Sequence, residues 1–262
     1  MTISFSKYHG TGNDFVLIDG RQLTEQPGEK RIAHLCHRYF GIGADGVIIV
    51  SPSQVPDVDY DMEYYNSDGR VGSMCGNGAR CAFHFAQRLK LAGTKADFSA
   101  YDGIHTAEAL EEGQFSVTMK DVDTVESRSE DIYILDTGSP HYVHFVSKID
   151  SIDVRKQGRD IRFSPEFFDM GINVNFAQII DDSIRVRTYE RGVEEITLSC
   201  GTGVTAVVLA FARKKGLHEG PVRILTDGGN LSVNFLHKDG KFIAIKLVGP
   251  VVKVFDGVYT ES

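Results

Sequence analysis

The chain has 262 residues, with 28 basic and 36 acidic side chains and a net charge of −8 when histidines are neutral. That balance, without a basic cluster, disfavours a phosphate backbone as partner, and no run approaches the roughly 18 apolar residues of a membrane span. The segment Met1–Lys7 lacks an apolar leader, and four cysteines with no CxxC pair suit a reducing, cytosolic setting better than a disulfide framework, so the reading is cytoplasmic, with neither nucleic-acid nor membrane partner.

Ile3–Tyr8 alternates as a strand does and breaks at His9-Gly10-Thr11-Gly12-Asn13, after which Phe15–Ile18 forms a more buried strand. Beyond Pro27-Gly28, the residues Ile32, Leu35, Cys36 and Tyr39 recur at helical spacing and predict an amphipathic helix with these four on its core face. Gly41-Ile42-Gly43-Ala44-Asp45-Gly46 has the look of a dinucleotide fingerprint. It runs into a strand, Val47–Val50, where such a fingerprint opens a helix, and it is rejected on that order. Tyr60–Tyr65 reads as a strand and Asn66-Ser67-Asp68-Gly69 as its turn. A helix then opens at Cys75, its inward stripe formed by Ala82, Phe85, Ala86 and Leu89, and strands dominate through Met119. The acidic stretch Asp121–Asp131 is expected to link two halves.

From Ile132 the organisation starts again. Thr137-Gly138-Ser139-Pro140-His141 and the strand Tyr142–Val146 match the segment from Thr11 to Val16 in type; Gly171–Phe176 echoes Gly41–Val50, and Tyr189-Glu190-Arg191-Gly192 echoes Tyr65–Gly69. Cys200 opens a second helix, with Val204, Val207, Val208 and Phe211 facing inward. Cys200 follows Cys75 by 125 residues, Gly138 follows Gly12 by 126, and Gly171 follows Gly41 by 130, the phase a duplicated domain would keep. The two halves are expected at 1–120, completed by a strand from 251–262, and at 121–250.

The repeated motif carries the chemistry. Cys75-Gly76-Asn77-Gly78 and Cys200-Gly201-Thr202-Gly203 each place a thiol at a helix N-terminus, where uncovered backbone N–H groups and the macrodipole favour an anion. Such settings lower a cysteine pKa from about 8.5 to roughly 3.5–7.5. Two such thiols facing one site suit removal of a proton from one side of a carbon and delivery to the other, one acting as thiolate and one as thiol. The same amides can hold a carboxylate that gains enolate character as the proton leaves. No pyridoxal lysine motif or zinc pattern is visible, and the Cys75-x5-Cys81 spacing is wrong for a zinc knuckle, so no cofactor and no metal are expected. Cys36 and Cys81 read as packing.

The whole chain resembles the diaminopimelate epimerase family. The resemblance is carried by Lys7–Phe15, Phe40–Asp45, Asn66-x-Asp68-Gly69, Cys75-Gly76-Asn77-Gly78-Ala79-Arg80-Cys81, Pro140-His141, Asn173-Val174, Tyr189–Gly192 and Cys200–Gly203. It implies an α+β fold of two pseudo-symmetric domains, each a mixed, mainly antiparallel sheet wrapped around a central helix. It also implies a cofactor-independent epimerase that interconverts LL- and meso-diaminopimelate as a homodimer. Carried over position by position, Cys75 and Cys200 become acid and base, and the amides of Gly76-Asn77 and Gly201-Thr202 hold the reacting carboxylate. Asn13, Asn66, Asn173 and Arg191 grip the distal end of the substrate; Glu190 faces its ammonium and, with His141, tunes the thiols. Taken singly each has a plainer reading: turn formers for Asn13 and Asn66, a surface pair for Glu190 and Arg191, a satisfied polar residue for His141. Many members carry glutamine where Gly46 stands and asparagine where Ser139 stands, and one extra residue separates Arg191 from Cys200. Two other readings stay open: a racemase or isomerase of the same fold acting on another small amino acid, and a redox-sensing binding protein in which Cys75 and Cys200 form a disulfide.

Overall fold

In the computed structural model, residues 2–260 are described. They form two compact units, one holding the chain up to Val117 together with the segment from Gly249 onward, the other Thr118–Val248.

In the first unit the order is β1 (Thr2–Gly10), β2 (Asn13–Asp19), α1 (Glu29–Cys36), β3 (Gly46–Pro52), β4 (Tyr60–Asn66), α2 (Gly76–Arg88), β5 (Lys95–Ala100), β6 (Gly103–Ala109) and β7 (Gln114–Thr118). The second runs β8 (Val125–Ser127), β9 (Ile132–Asp136), β10 (Pro140–Phe145), α3 (Val154–Arg162), β11 (Asn173–Ile180), β12 (Ser183–Glu190), β13 (Glu195–Thr197), α4 (Gly201–Lys215), β14 (Val222–Thr226), β15 (Gly229–Lys238) and β16 (Lys241–Pro250); β17 (Val252–Thr260) returns to the first unit.

The pairing pattern is the same twice. β1–β2 is antiparallel, β2–β3 parallel, β3–β4 antiparallel, β4–β5 parallel and β5–β6 antiparallel. β9–β10, β10–β11, β11–β12, β12–β14 and β14–β15 repeat that alternation step for step. Parallel neighbours need a crossover, and each crossover carries a helix: α1 and α3 at the first, α2 and α4 at the second. The edge beyond β1 is covered by β17 and the matching edge beyond β9 by β8, both antiparallel. This is a two-domain α+β fold.

The helices that begin after Cys75 and Cys200 are more deeply buried than a single stripe implies. Gly76 to Phe83 are all buried in α2, the polar Asn77 and Arg80 among them, and Val204 to Ala210 are buried in α4, whose surface is apolar nearly all round. Close approach to the sheet depends on a glycine in each first turn. A Cβ on Gly78 would lie 2.9 Å from Ile48 Cδ1, and one on Gly203 would lie 2.5 Å from Asn175 Oδ1.

Three expectations need correction. The first helix ends at Cys36, and Tyr39 is 89% exposed, because the chain bonds back on itself from Gly41, Ile42 and Gly43 to the carbonyls of His37 and Leu35. Phe211 is only half-buried, at the margin of the inward face of α4, with its ring 6.4 Å from that of core Phe145. The acidic stretch 121–131, expected as the link between halves, lies inside the second unit: Val122 exchanges both backbone bonds with Phe242, and Val125–Ser127 pair with β9. Helix α3 had no prediction, since only Val154 and Gly158 of its nine residues are buried. Among the described residues no helix is long and apolar enough to cross a membrane.

Candidate active site

Cys75 is the N-cap of α2, in extended conformation, and its sulfur accepts from Gly78 N at 3.5 Å while its carbonyl accepts from Ala79 N at 2.7 Å. Cys200 caps α4 with nearly the same dihedrals, its carbonyl accepting from Val204 N at 2.8 Å, and its sulfur lies 3.5 Å from Thr202 Oγ1. The Cys75 sulfur therefore receives a first-turn N–H of a buried helix, an anion-favouring place, whereas Cys200 holds the same N-cap position with no side-chain cap bond from its sulfur. Cys36 and Cys81 differ: burial pushes each thiol up to about 12, so neither ionises near neutrality.

The structure brings Asn13, Cys75 and Asn77 together. Asn13 Oδ1 lies 3.7 Å from Cys75 Sγ, which donates to it, and accepts from Asn77 Nδ2 at 3.3 Å; Asn13 Nδ2 donates to Asp45 Oδ2 at 2.8 Å. Behind them Arg80, fully buried, donates from Nη2 to Asn77 Oδ1 at 2.9 Å and from Nη1 to the Gly76 carbonyl at 3.3 Å. Desolvation lowers its pKa to about 10, and it stays cationic. Asp45 is itself held by Arg38 at 2.6 Å, and Arg38 also pairs with Asp14, which takes Lys7 at 2.6 Å. Asn66 ends β4 at the surface, its backbone N–H bonded to the Arg70 carbonyl and its own carbonyl accepting from Gly69 N.

In the second unit Asn173 and Arg191 meet. Asn173 Oδ1 accepts from Arg191 N at 2.9 Å, and Asn173 Nδ2 donates to Ser139 Oγ at 2.9 Å and to the Pro140 carbonyl at 3.1 Å. The exposed Arg191 guanidinium donates to the Met170 carbonyl and to Ser139 Oγ, at 3.0 and 3.3 Å. Glu190 Oε2 accepts from Thr197 Oγ1 at 2.8 Å. The Thr202 carbonyl accepts from Thr137 Oγ1 at 3.0 Å, tying the turn before β10 to the first turn of α4.

His141 is fully buried, and its partner was not foreseen. Asn175 Nδ2 lies 3.0 Å from the Tyr142 carbonyl, which can only accept, so the amide nitrogen also faces His141 Nδ1 at 3.1 Å. Nδ1 is then the acceptor, and the proton rides on Nε2, which has no partner among the described residues. Burial, and then Arg191, push the imidazole down to about 3, so it is neutral at physiological pH. Thr188 Oγ1 donates to Asn175 Oδ1 at 2.8 Å and completes the support. The alternation Asn173-Val174-Asn175 on one strand could have flagged Asn175, since both amides must share a face.

The two departures from the family pattern have physical settings. A Cβ at Gly46 would stand 2.5 Å from Tyr64 Cε2 and from the Tyr65 carbonyl oxygen, so ring and backbone hold this position to glycine. Ser139 bonds both Asn173 and Arg191. Among the described residues no group of three or more His, Cys, Asp or Glu could hold a metal ion.

The model of the family described as diaminopimelate epimerase matches residues 5–125 and 133–254. The chain belongs to that family. Relatives of the same name include one from Flavobacterium psychrophilum, 42% identical over 95% of this chain and 97% of its own length. Another, from Aquifex aeolicus, is 39% identical over 99% of each chain. Solved structures of like fold include a phenazine biosynthesis protein of the PhzF family from Bacillus anthracis, with TM-score 0.74, 15% identity and complete coverage of both chains. A hydroxyproline epimerase from Agrobacterium vitis has TM-score 0.69 and 13% identity over 98% of this chain and 92% of that one. At such identities these two speak for the fold alone.

Proposed function

We propose that this protein is a diaminopimelate epimerase that interconverts the LL and meso forms without a cofactor, Cys75 and Cys200 acting as the proton-transferring pair. The observation that carries this reading is the repeated cysteine position: each unit places one cysteine at the N-cap position of its most buried helix, in a family whose members are named for this reaction. One thiolate takes the α-proton, and the other thiol gives a proton to the opposite face of the same carbon; the roles exchange with substrate handedness. Amides of Gly76-Asn77 and Gly201-Thr202 receive the carboxylate as it gains enolate-like charge.

Distal recognition in this reading falls to Asn13, Asn66, Asn173 and Arg191. The Asn173–Arg191 contact supports it, because a planar fork already steadied by the Met170 carbonyl and Ser139 is pre-oriented for a carboxylate. Glu190 takes an ammonium, and His141, kept neutral, tunes the thiols. The same proposal carries a cytosolic homodimer with no nucleic-acid or membrane partner, which sedimentation at several concentrations tests. The activity is tested by offering LL-diaminopimelate, proline and glutamate separately to the purified, reduced protein. Turnover of diaminopimelate alone is expected; turnover of proline or glutamate in its place overturns the assignment.

A further inference from the structure

Arg80 presents a problem that its neighbours answer. A guanidinium with 0% exposure is costly without a counter-charge, yet among the described residues no carboxylate pairs with it directly, and its Nε has no hydrogen-bond partner. Its nearest route to a carboxylate runs through two side-chain amides. Arg80 Nη2 donates to Asn77 Oδ1, Asn77 Nδ2 donates to Asn13 Oδ1, and Asn13 Nδ2 donates to Asp45 Oδ2, at 2.9, 3.3 and 2.8 Å.

The direction of this chain is forced at both ends. A guanidinium can only donate and a carboxylate can only accept, so neither amide can be reversed without opposing two donors or two acceptors. Asp45 is fixed as an acceptor by further donors: Arg38 at 2.6 Å on Oδ1, and Asp14 N at 3.2 Å on Oδ2. Burial and the neighbouring Asp14 push its carboxyl upward, but its side chain is 42% exposed and its contacts all come from donors.

We propose that Arg80 and Asp45 are positioning residues of the Cys75 half-site, jointly holding Asn13 so that its carbonyl oxygen, and not its N–H, faces the sulfur. This rests on the epimerase reading and deepens it. A substrate carbon within reach of Cys75 Sγ carries an ammonium and a carboxylate; the carboxylate belongs to the amides of the helix N-terminus, and the group beside Asn13 Oδ1 must be a donor. Asn13, 3.7 Å from Sγ, is thereby assigned to the ammonium on the reacting carbon in place of the distal end. The second unit differs at the matching position: Thr205 stands where the repeat puts Arg80, and its hydroxyl donates to the Gly201 carbonyl at 2.9 Å, as Arg80 does to Gly76.

The test compares Asp45→Asn, Asp45→Glu and Arg80→Met with the wild type. The readouts are kcat and KM for diaminopimelate, and the iodoacetamide labelling rates of Cys75 and Cys200 from the same sample by peptide mass spectrometry. Asp45→Asn lets Asn13 reverse, and a misdirected contact at the reacting carbon is expected to lower kcat/KM about tenfold or more. An N–H turned to the sulfur favours thiolate, so labelling of Cys75 should rise about threefold relative to Cys200. Asp45→Glu, which restores an acceptor, should recover both, and Arg80→Met should lower kcat/KM as Asp45→Asn does. A merely structural role would not change one cysteine against the other. Asp45→Asn within twofold of wild type in both readouts overturns the proposal, and should Arg80→Met fail to fold, the half-exposed Asp45 decides alone. If the wild type does not turn over diaminopimelate, the epimerase reading falls, while the labelling ratio still decides the relay.

Discussion

The Cys75 and Cys200 units share one topology and one cap, but what stands behind the two thiols differs in kind. Behind Cys75 lies a charged system, from buried Arg80 through Asn77 and Asn13 to Asp45, Arg38, Asp14 and Lys7. Behind Cys200 lie neutral groups: Thr202, Thr205, Thr137, and a buried His141–Asn175–Thr188 chain. The two units share their backbone geometry, while the polar groups that steady it differ. The lesson is that a helix N-cap supplies the shared chemistry, and side chains one layer back decide what each thiol meets.

The largest expected effect treats the two units as equals. Cys75→Ala and Cys200→Ala should each lower epimerisation by about a thousandfold or more with the fold retained, because each half-reaction needs both an acid and a base. A steady-state assay with circular dichroism as fold control checks this. Near-normal turnover in either variant would remove that sulfur from the chemistry. A smaller effect belongs to the Cys200 unit alone. Arg191→Lys loses a fork that reaches Met170 and Ser139, and should raise KM about tenfold with kcat less affected.

The neutral chain should also make its own unit acid-sensitive. His141 is pushed from its ordinary 6.5 down to about 3, so the unfolded chain takes up its proton first. The stability this neutral residue retains is present above pH 6.5 and is lost as pH falls toward 3, by up to about 1.4 kcal/mol per pH unit. Urea unfolding at pH 7, 6 and 5 should show a shallower loss in His141→Gln than in the wild type; equal slopes would mean that the imidazole is not buried neutral. The smallest effect concerns the far ends of the two helices. α4 stops at Gly216 with φ +67 and open space around a would-be Cβ, whereas α2 ends on right-handed Leu89 and turns left-handed only at the next residue, Lys90, with φ +61. Gly216→Ala should cost about 1 kcal/mol in urea unfolding, and Gly216→Asn only a few tenths.

The fold was legible where one rule acted locally. The alternation of Ile3–Tyr8, the turn at Asn66–Gly69 and the cysteine-glycine caps all stand in the structure close to their expected bounds. Helix α3 was not legible because it lies on the surface with few apolar anchors, and Tyr39 misled because helical spacing continues past the point where the chain turns back at Cys36. The candidate site was legible as a set of residue types: Asn13 with Cys75, and Asn173 with Arg191, are in contact. Their supports were not. Asn175 behind His141, and the donor direction from Arg80 to Asp45, depend on strands and loops separated by tens of residues, and only the folded chain brings those groups within bonding distance.

Deuterium uptake is the most direct measurement. Reduced protein incubated with LL-diaminopimelate in D2O should place solvent deuterium at the α-carbon of the meso product, and neither Cys75→Ala nor Cys200→Ala should carry the label through to inverted product. Inverted product formed without solvent deuterium, or formed at wild-type rate by either alanine variant, would contradict proton transfer by a pair of thiols.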